Sequence, residues 1–328
     1  MQQHVLVTGG AGYIGAHACK ALADAGFVPV TFDNLSTGWR DAVKYGPFVQ
    51  GELADRAAID QAFSQFRPVA VMHFAALSIV PDAMHDPGRY WRVNVLGALN
   101  LIESAITAGC LNFVFSSTCA TYGDQDGVLL DEDTPQRPTN AYGASKRAIE
   151  DILQNFSASA GLQHVIFRYF NVAGADPAAE IGEQHRPETH LIPLMLDAIA
   201  GRRPALTVYG SDYLTPDGTC VRDYVHVTDL VAAHVLGLQW LLEGRGNRVF
   251  NLGSGHGFSV RDVIEASGRV TNRAVPVVMG ARRSGDAASL VSGSDRAMRE
   301  LAWRPTRSDL PQMIRDALAW AQKPGFSG

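Results

Sequence analysis

The sequence predicts an α/β protein built on a doubly wound parallel sheet, with a smaller C-terminal α/β lobe beside it. Three observations carry this. Short apolar runs alternate with helix-length intervals through the first half of the chain. Those runs are apolar at successive residues rather than alternate ones, as strands covered on both faces are. A glycine-rich turn follows the first run directly and opens a helix-patterned segment. At 328 residues the chain is longer than one core usually sustains, so one large or two moderate domains are expected.

Composition narrows the class. Apolar residues are 46% and charged residues 19%, which excludes a disordered chain. No uncharged apolar run reaches the length of a membrane-spanning helix, so no membrane partner is expected. The opening Met1-Gln2-Gln3-His4 lacks a cationic region followed by a long apolar one, so no signal peptide is expected. A net charge of −5 with no long basic block argues against a nucleic-acid surface. Cys19, Cys110, Cys119 and Cys220 show no metal-type spacing and read as reduced thiols, which predicts a cytoplasmic protein.

The strand candidates of the first half are His4 to Thr8, Val28 to Phe32, Phe48 to Gln50, Ala70 to Phe74, Asn112 to Ser116 and His164 to Tyr169. Right-handed crossovers between them give the doubly wound arrangement. Near residue 172 the texture changes. Ala173 to Glu188 is rich in Gly, Pro and acids and reads as a long loop. Helices are expected near Ile192 to Ala200, Thr228 to Leu242, Ser259 to Arg269 and Asp309 to Gln322. Strands are expected at Thr207 to Tyr209 and near Val249 and Val275, with a turn at Pro216 to Gly218. The expected boundary separates residues 1–171 from 172–328, with the chain free to cross between the lobes more than once.

Directly after the first strand comes Thr8-Gly9-Gly10-Ala11-Gly12-Tyr13-Ile14-Gly15. Glycines at 9, 12 and 15 allow a tight turn, a close approach to a pyrophosphate and close packing of helix on strand, which is the Rossmann fingerprint. Asp33, at the end of the second strand, can accept from both ribose hydroxyls and would repel a 2′-phosphate. NAD is therefore expected over NADP, although Arg40 lies close in sequence. Tyr142-Gly-Ala-Ser-Lys146 places a phenol and an ammonium one helical turn apart. A phenol with its ordinary pKa is a poor base at neutral pH. A neighbouring lysine charge and a cationic nicotinamide are expected to lower it. Thr118, just beyond the strand ending in Ser116, can bridge a reacting hydroxyl and that phenol.

In these motifs the chain resembles the extended short-chain dehydrogenase/reductase family and, within it, the group of UDP-glucose (UDP-galactose) 4-epimerases. His73-Phe-Ala-Ala76, Arg168-Tyr-Phe-Asn171, Val221-Arg-Asp-Tyr-Val-His226 and Ala281-Arg-Arg-Ser-Gly-Asp286 extend the likeness from residue 8 to 286. The resemblance implies a first lobe that binds NAD and a second that binds a UDP-sugar. It assigns Thr118, Tyr142 and Lys146 to catalysis. Gly9, Gly12, Tyr13, Ile14, Gly15, Asp33, Asn34, Leu35, Glu52, Leu53, Phe74, Ala75, Ala76, Asn94, Ser116 and Tyr169 would line the cofactor together with Tyr142 and Lys146. Asn171, His190, Leu191, Tyr209, Arg222, Arg283, Asp286 and Leu290 would hold the UDP-sugar together with Thr118. The residue chemistry agrees: arginines suit a pyrophosphate, an aromatic can stack on uracil, and a carboxylate accepts from ribose.

Three positions depart from the group's pattern. Glu52 stands for an aspartate near the adenine, Ser78 for a lysine of some members, and Thr118 for a serine. The implied activity is reversible oxidation at C4 through a 4-keto sugar. Dehydration is disfavoured, because Cys119 and Ala120 follow Thr118 where dehydratases carry an acid pair. Leu290 is expected near the C2 substituent, which leaves UDP-N-acetylglucosamine and UDP-pentoses open as substrates. The ten histidines suggest no metal site, and His185 reads as loop surface. A homodimer is expected from apolar stripes near Arg89 to Thr107 and Ala144 to Ser159.

Overall fold

The computed structural model describes residues 2–125, 127–283 and 287–327. The first half contains β1 (His4–Thr8), α1 (Tyr13–Asp24), β2 (Val28–Asp33), β3 (Phe48–Gln50), α2 (Arg56–Phe66), β4 (Ala70–His73), α3 (Val80–His85) and α4 (Pro87–Tyr90). It continues through α5 (Gly97–Thr107), β5 (Asn112–Ser116), β6 (Leu129–Leu130), α6 (Ala141–Ala160), β7 (Gln163–Tyr169) and β8 (Asn171–Ala173). The second half holds α7 (Leu191–Ile199), β9 (Leu206–Tyr209), β10 (Val221–His226), α8 (Val227–Leu242), β11 (Arg248–Leu252) and β12 (Gly257–Ser259). After these come α9 (Val260–Thr271), β13 (Val277–Gly280), β14 (Ser289–Ser292), α10 (Asp295–Glu300) and α11 (Leu310–Ala321).

Seven parallel strands form the main sheet in the order β11-β7-β5-β4-β1-β2-β3. The order reverses between β1 and β4, and ligands bind beyond the carboxyl ends of strands at such a switch point. Register brings those ends level: Thr8 pairs with Phe32 and His73, and Ser116 with Phe167. Val5, Leu6 and Val7 are all fully buried because the sheet is covered on both sides. Leu6 points to α2, α5 and α6, whereas Val5 and Val7 point to α1 and α8. Burying each such side chain stabilises the fold by about 1.5–3 kcal/mol.

The second lobe stands over this carboxyl edge. Its sheet runs β12-β10-β14-β6, β8 pairs with the Tyr224–His226 end of β10, and β9 pairs with β13. Met195 of α7, Val263 of α9 and Met313 of α11 share its core with Leu206. Two features of the topology bear on the sequence reading. The strand around Val249 joins the main sheet as β11, and α8 covers that sheet beside α1, so residues beyond 171 complete the first core. The helix expected from Arg89 to Thr107 is broken by a π-helical turn, Trp91–Leu96. Among the described residues no helix is long and apolar enough to cross a membrane.

Candidate active site

The glycine turn is shaped by close approach of backbone to backbone. Gly9 adopts φ +73°, and a side chain there would stand 2.6 Å from the amide nitrogen of Ala75. A methyl on Gly15 would overlap the carbonyl of Gly9. Phe74 and Ala75 donate their amides to the Thr8 carbonyl, so the segment after β4, through Ala76, lies against the turn. Gly12 caps α1 without a side chain, leaving the first amides of this twelve-residue helix directed at the crevice.

Asp33 stands beside this cradle. Its carboxylate accepts from the amides of Ala11 (3.0 Å) and Leu35 (2.8 Å), and burial pushes its pKa up against those bonds. Each carboxylate oxygen keeps acceptor capacity beyond one such bond, enough for a ribose diol. The uncapped helix end, the space beside Gly9 and Gly15 and the Asp33 carboxylate therefore fit NAD. Asn34 meets Glu52 at 3.4 Å on the surface, Leu53 packs against Gly97, and Arg40 lies over the Phe48 ring. Tyr13 donates to the Gly174 carbonyl (2.7 Å), and Ile14 packs into the main core. Asn94, buried in the π-helical turn, exchanges two hydrogen bonds with the backbone of Leu77 and donates to Ser145. Its polar atoms brace the crevice wall.

The catalytic candidates converge at the end of β5. Lys146 is 2% exposed and donates to the Ser116 carbonyl at 2.9 Å, while the Ser116 hydroxyl bonds Tyr169. Asn140 caps α6 by accepting from Gly143, which sets Tyr142 and Lys146 on the inward side of the first turns. For the chain's own groups, burial opposes ionisation of this pair. Burial pushes the Tyr142 phenol up to about 12, with Thr118 pulling the other way. Burial likewise lowers Lys146 to about 7, with Glu150 opposing. A lysine this deeply buried gives up part of its charge and lends the phenol little, so the chain alone keeps the proton on Tyr142.

The substrate candidates come from five elements. Arg222 of β10 sits opposite Leu290 of β14, and Leu290 packs on Cys119, Tyr122 and Leu130 beneath Thr118. Asn171 pairs with Tyr224, and His190 and Leu191 begin α7. Tyr209 and Arg283 stack on each other, the guanidinium 3.8 Å from the ring centre. Asp286 lies outside the described residues.

The model of the NAD dependent epimerase/dehydratase family matches residues 5–253. The chain belongs to this family. The UDP-glucose 4-epimerase of Rhizobium leguminosarum bv. trifolii is 48% identical over 319 residues, 97% of each chain. The crystal structure of UDP-glucose 4-epimerase from Brucella ovis in complex with NAD matches with a TM-score of 0.94 at 46% identity, covering 97% of this chain and 98% of that one. A Stenotrophomonas maltophila UDP-glucose 4-epimerase, with bound NAD and formylated UDP-arabinopyranose, matches at 0.93 and 37% identity, over 97% and 98% of the two chains.

Two groups in this epimerase/dehydratase chain escaped the sequence reading. Beneath the catalytic edge, Glu150 and Arg168 form a buried ion pair at 2.6 Å. Ser117 and Gln136 donate to the same carboxylate, and Arg168 also donates to the Tyr122 hydroxyl, which bonds Asn251. The signal was present: Glu150 follows Lys146 by four residues on a face otherwise made of Ile149 and Leu153. The second group lies in the loop before α7, among histidines to which the sequence reading gave no metal role. His185 is drawn in from the loop surface, and Glu183, His185, Glu188 and His190 bring their side-chain donor atoms within 4.8 Å of one another.

Proposed function

We propose that this chain interconverts UDP-glucose and UDP-galactose by inverting C4 with NAD held in the glycine cradle. The observation that carries the proposal is the convergence of Thr118, Tyr142 and Lys146 on the end of β5, beside that cradle. Near-full-length likeness to UDP-glucose 4-epimerases supports it. When bound, NAD supplies a hydride acceptor that later returns the hydride, and its cationic ring helps the phenol to ionise.

The chain's own groups do the rest. Thr118 bridges the C4 hydroxyl and the phenol. Tyr142 takes the hydroxyl proton as C4 becomes a ketone, and returns it after the sugar has presented its other face. Lys146, anchored on the Ser116 carbonyl, is held one turn from the phenol, and the charge that favours the phenolate would come chiefly from the cofactor ring. Arg222, Arg283, Tyr209 and Asn171 grip the UDP while the hexose stays free to turn, so binding energy resides in the part that does not react. Cys119 is fully buried with its thiol pushed up by burial, and Ala120 carries no proton, so elimination finds no acid beside Thr118.

The functional unit is a homodimer. Met84 of α3 and Trp91, Val93 and Leu96 of the π-helical turn present apolar side chains to solvent, Trp91 at 44% exposure. A two-fold contact through these helices would cover them. The four free cysteines support a cytoplasmic location. Desalted protein incubated with UDP-galactose and no added cofactor should form UDP-glucose, followed by anion-exchange chromatography. Return of the substrate unchanged, from protein shown to carry NAD, would refute the reading.

A further inference from the structure

Eight consecutive residues of the loop before α7 carry four possible metal ligands, Glu183, His185, Glu188 and His190. Their geometry is specific. Nδ1 of His190 lies 2.9 Å from Glu183 and 3.1 Å from Glu188, and Nδ1 of His185 lies 3.5 Å and 3.4 Å from the same two carboxylates. One donor atom from each of the four residues lies within 4.8 Å of the others, near enough for small side-chain rotations to reach the separations of about 3.4 Å that a tetrahedral zinc with ligands about 2.1 Å away requires. The carboxylates are largely withdrawn from solvent, with side-chain exposures of 7% for Glu183 and 13% for Glu188. The His185 Nδ1 that faces both of them is itself buried and makes no hydrogen bond.

The backbone around the cluster is held independently of it. Trp320 donates to the carbonyl of Glu183 at 3.0 Å, and Trp39 to that of Gln184 at 2.8 Å. The Gln184 side chain bonds both backbone groups of Phe326. Two indoles and the C-terminal segment thus fix the loop so that its side chains converge, which is the support a ligand set needs. His190 remains half exposed and leaves an entry path.

We propose that Glu183, His185, Glu188 and His190 form a structural site for one divalent transition-metal ion of the zinc type. Two imidazoles select such an ion over magnesium or calcium, which prefer all-oxygen shells. The ion would neutralise two withdrawn carboxylates and tie the loop to the first turn of α7. It takes no part in the redox chemistry.

Zinc and cobalt(II) are the probes. Holoenzyme treated with chelator and dialysed free of it is titrated with zinc by calorimetry, and metal content is measured after desalting. Cobalt(II) absorption reports tetrahedral ligation. One ion per chain is expected, with a higher unfolding temperature when zinc is present. His185→Ala and Glu188→Gln should each weaken binding by about 100-fold or more, beyond what loss of a supporting contact costs. Circular dichroism and retained NAD check that the variants fold. Wild-type protein that takes up no stoichiometric zinc or cobalt overturns the proposal and leaves the cluster a set of ion pairs. Uptake equal to wild type in both variants also overturns it, placing the metal elsewhere. Neither result bears on epimerisation, which is assayed separately.

Discussion

The two sides of the active-site crevice are built differently. Its floor, the carboxyl edge of the main sheet, is sealed: Lys146, Thr118 and Asp33 are 2%, 7% and 8% exposed. Each is held by backbone or side-chain hydrogen bonds. On the opposite side stand Tyr209, 38% exposed, and the exposed Arg283, resting on one another. In the proposed mechanism the groups that would move protons are fixed before the ligand arrives, whereas Tyr209 and Arg283, proposed to grip the nucleotide, would first exchange one partner for another. A sugar that has to turn over between two half-reactions needs this asymmetry.

The contrast can be broken from the floor first. Tyr142→Phe should lower kcat by about 10³-fold, within the range for loss of an acid–base group, with UDP affinity almost unchanged by calorimetry. Glu150→Ala would strand the Arg168 guanidinium in the interior. It should cost about 3–5 kcal/mol of stability in urea unfolding.

Acid should act on the main-sheet core as well. Burial lowers His73 to about 3, and His17, His164 and His234 to about 4. Unfolded imidazoles take up protons near pH 6.5, so the unfolded chain binds more protons as pH falls from there towards 4. Stability is therefore full above pH 6.5 and declines below it, by about 1.4 kcal/mol per pH unit for each histidine that titrates only when unfolded. Urea midpoints between pH 7.5 and 5 test this, and His234→Leu should make the slope shallower.

Gly9→Ala combines a positive φ with a backbone overlap. A loss of about 1–3 kcal/mol is expected, with NAD released on gel filtration. The upper side should be the most forgiving. Arg283→Ala should raise KM by about tenfold at most and leave kcat within about twofold, the pattern of lost uniform binding. A large kcat loss there would show that the nucleotide clamp also aligns the sugar.

Much of the floor was legible in the sequence because its chemistry is local. The Gly9–Gly15 turn, Asp33 at a strand end and the Tyr142–Lys146 spacing each report a backbone requirement carried by neighbouring residues. The protonation of that pair was not legible, since it depends on how deeply α6 buries Lys146 and on Glu150 one turn later. The stacking of Arg283 on Tyr209 joins residues more than seventy positions apart, and no spacing rule connects them. The Glu183–His190 cluster is short-range, yet its convergence depends on two tryptophans, Trp39 and Trp320, from opposite ends of the chain. The π-helical turn at Asn94 was hidden because its apolar pattern differs little from that of an ordinary helix.

The return of β11 to the outer flank of the main sheet has an evolutionary corollary. A fragment stopped at residue 171 would leave the edge of β7 bare and strip the α8 cover from the face that α1 shares, inviting strand-to-strand aggregation. The half proposed to read the sugar is stitched through the half proposed to hold the cofactor, so neither is expected to transplant as a cassette. New sugar preferences in such an architecture must arise by changing single side chains at the rim, with Leu290 the first place to look.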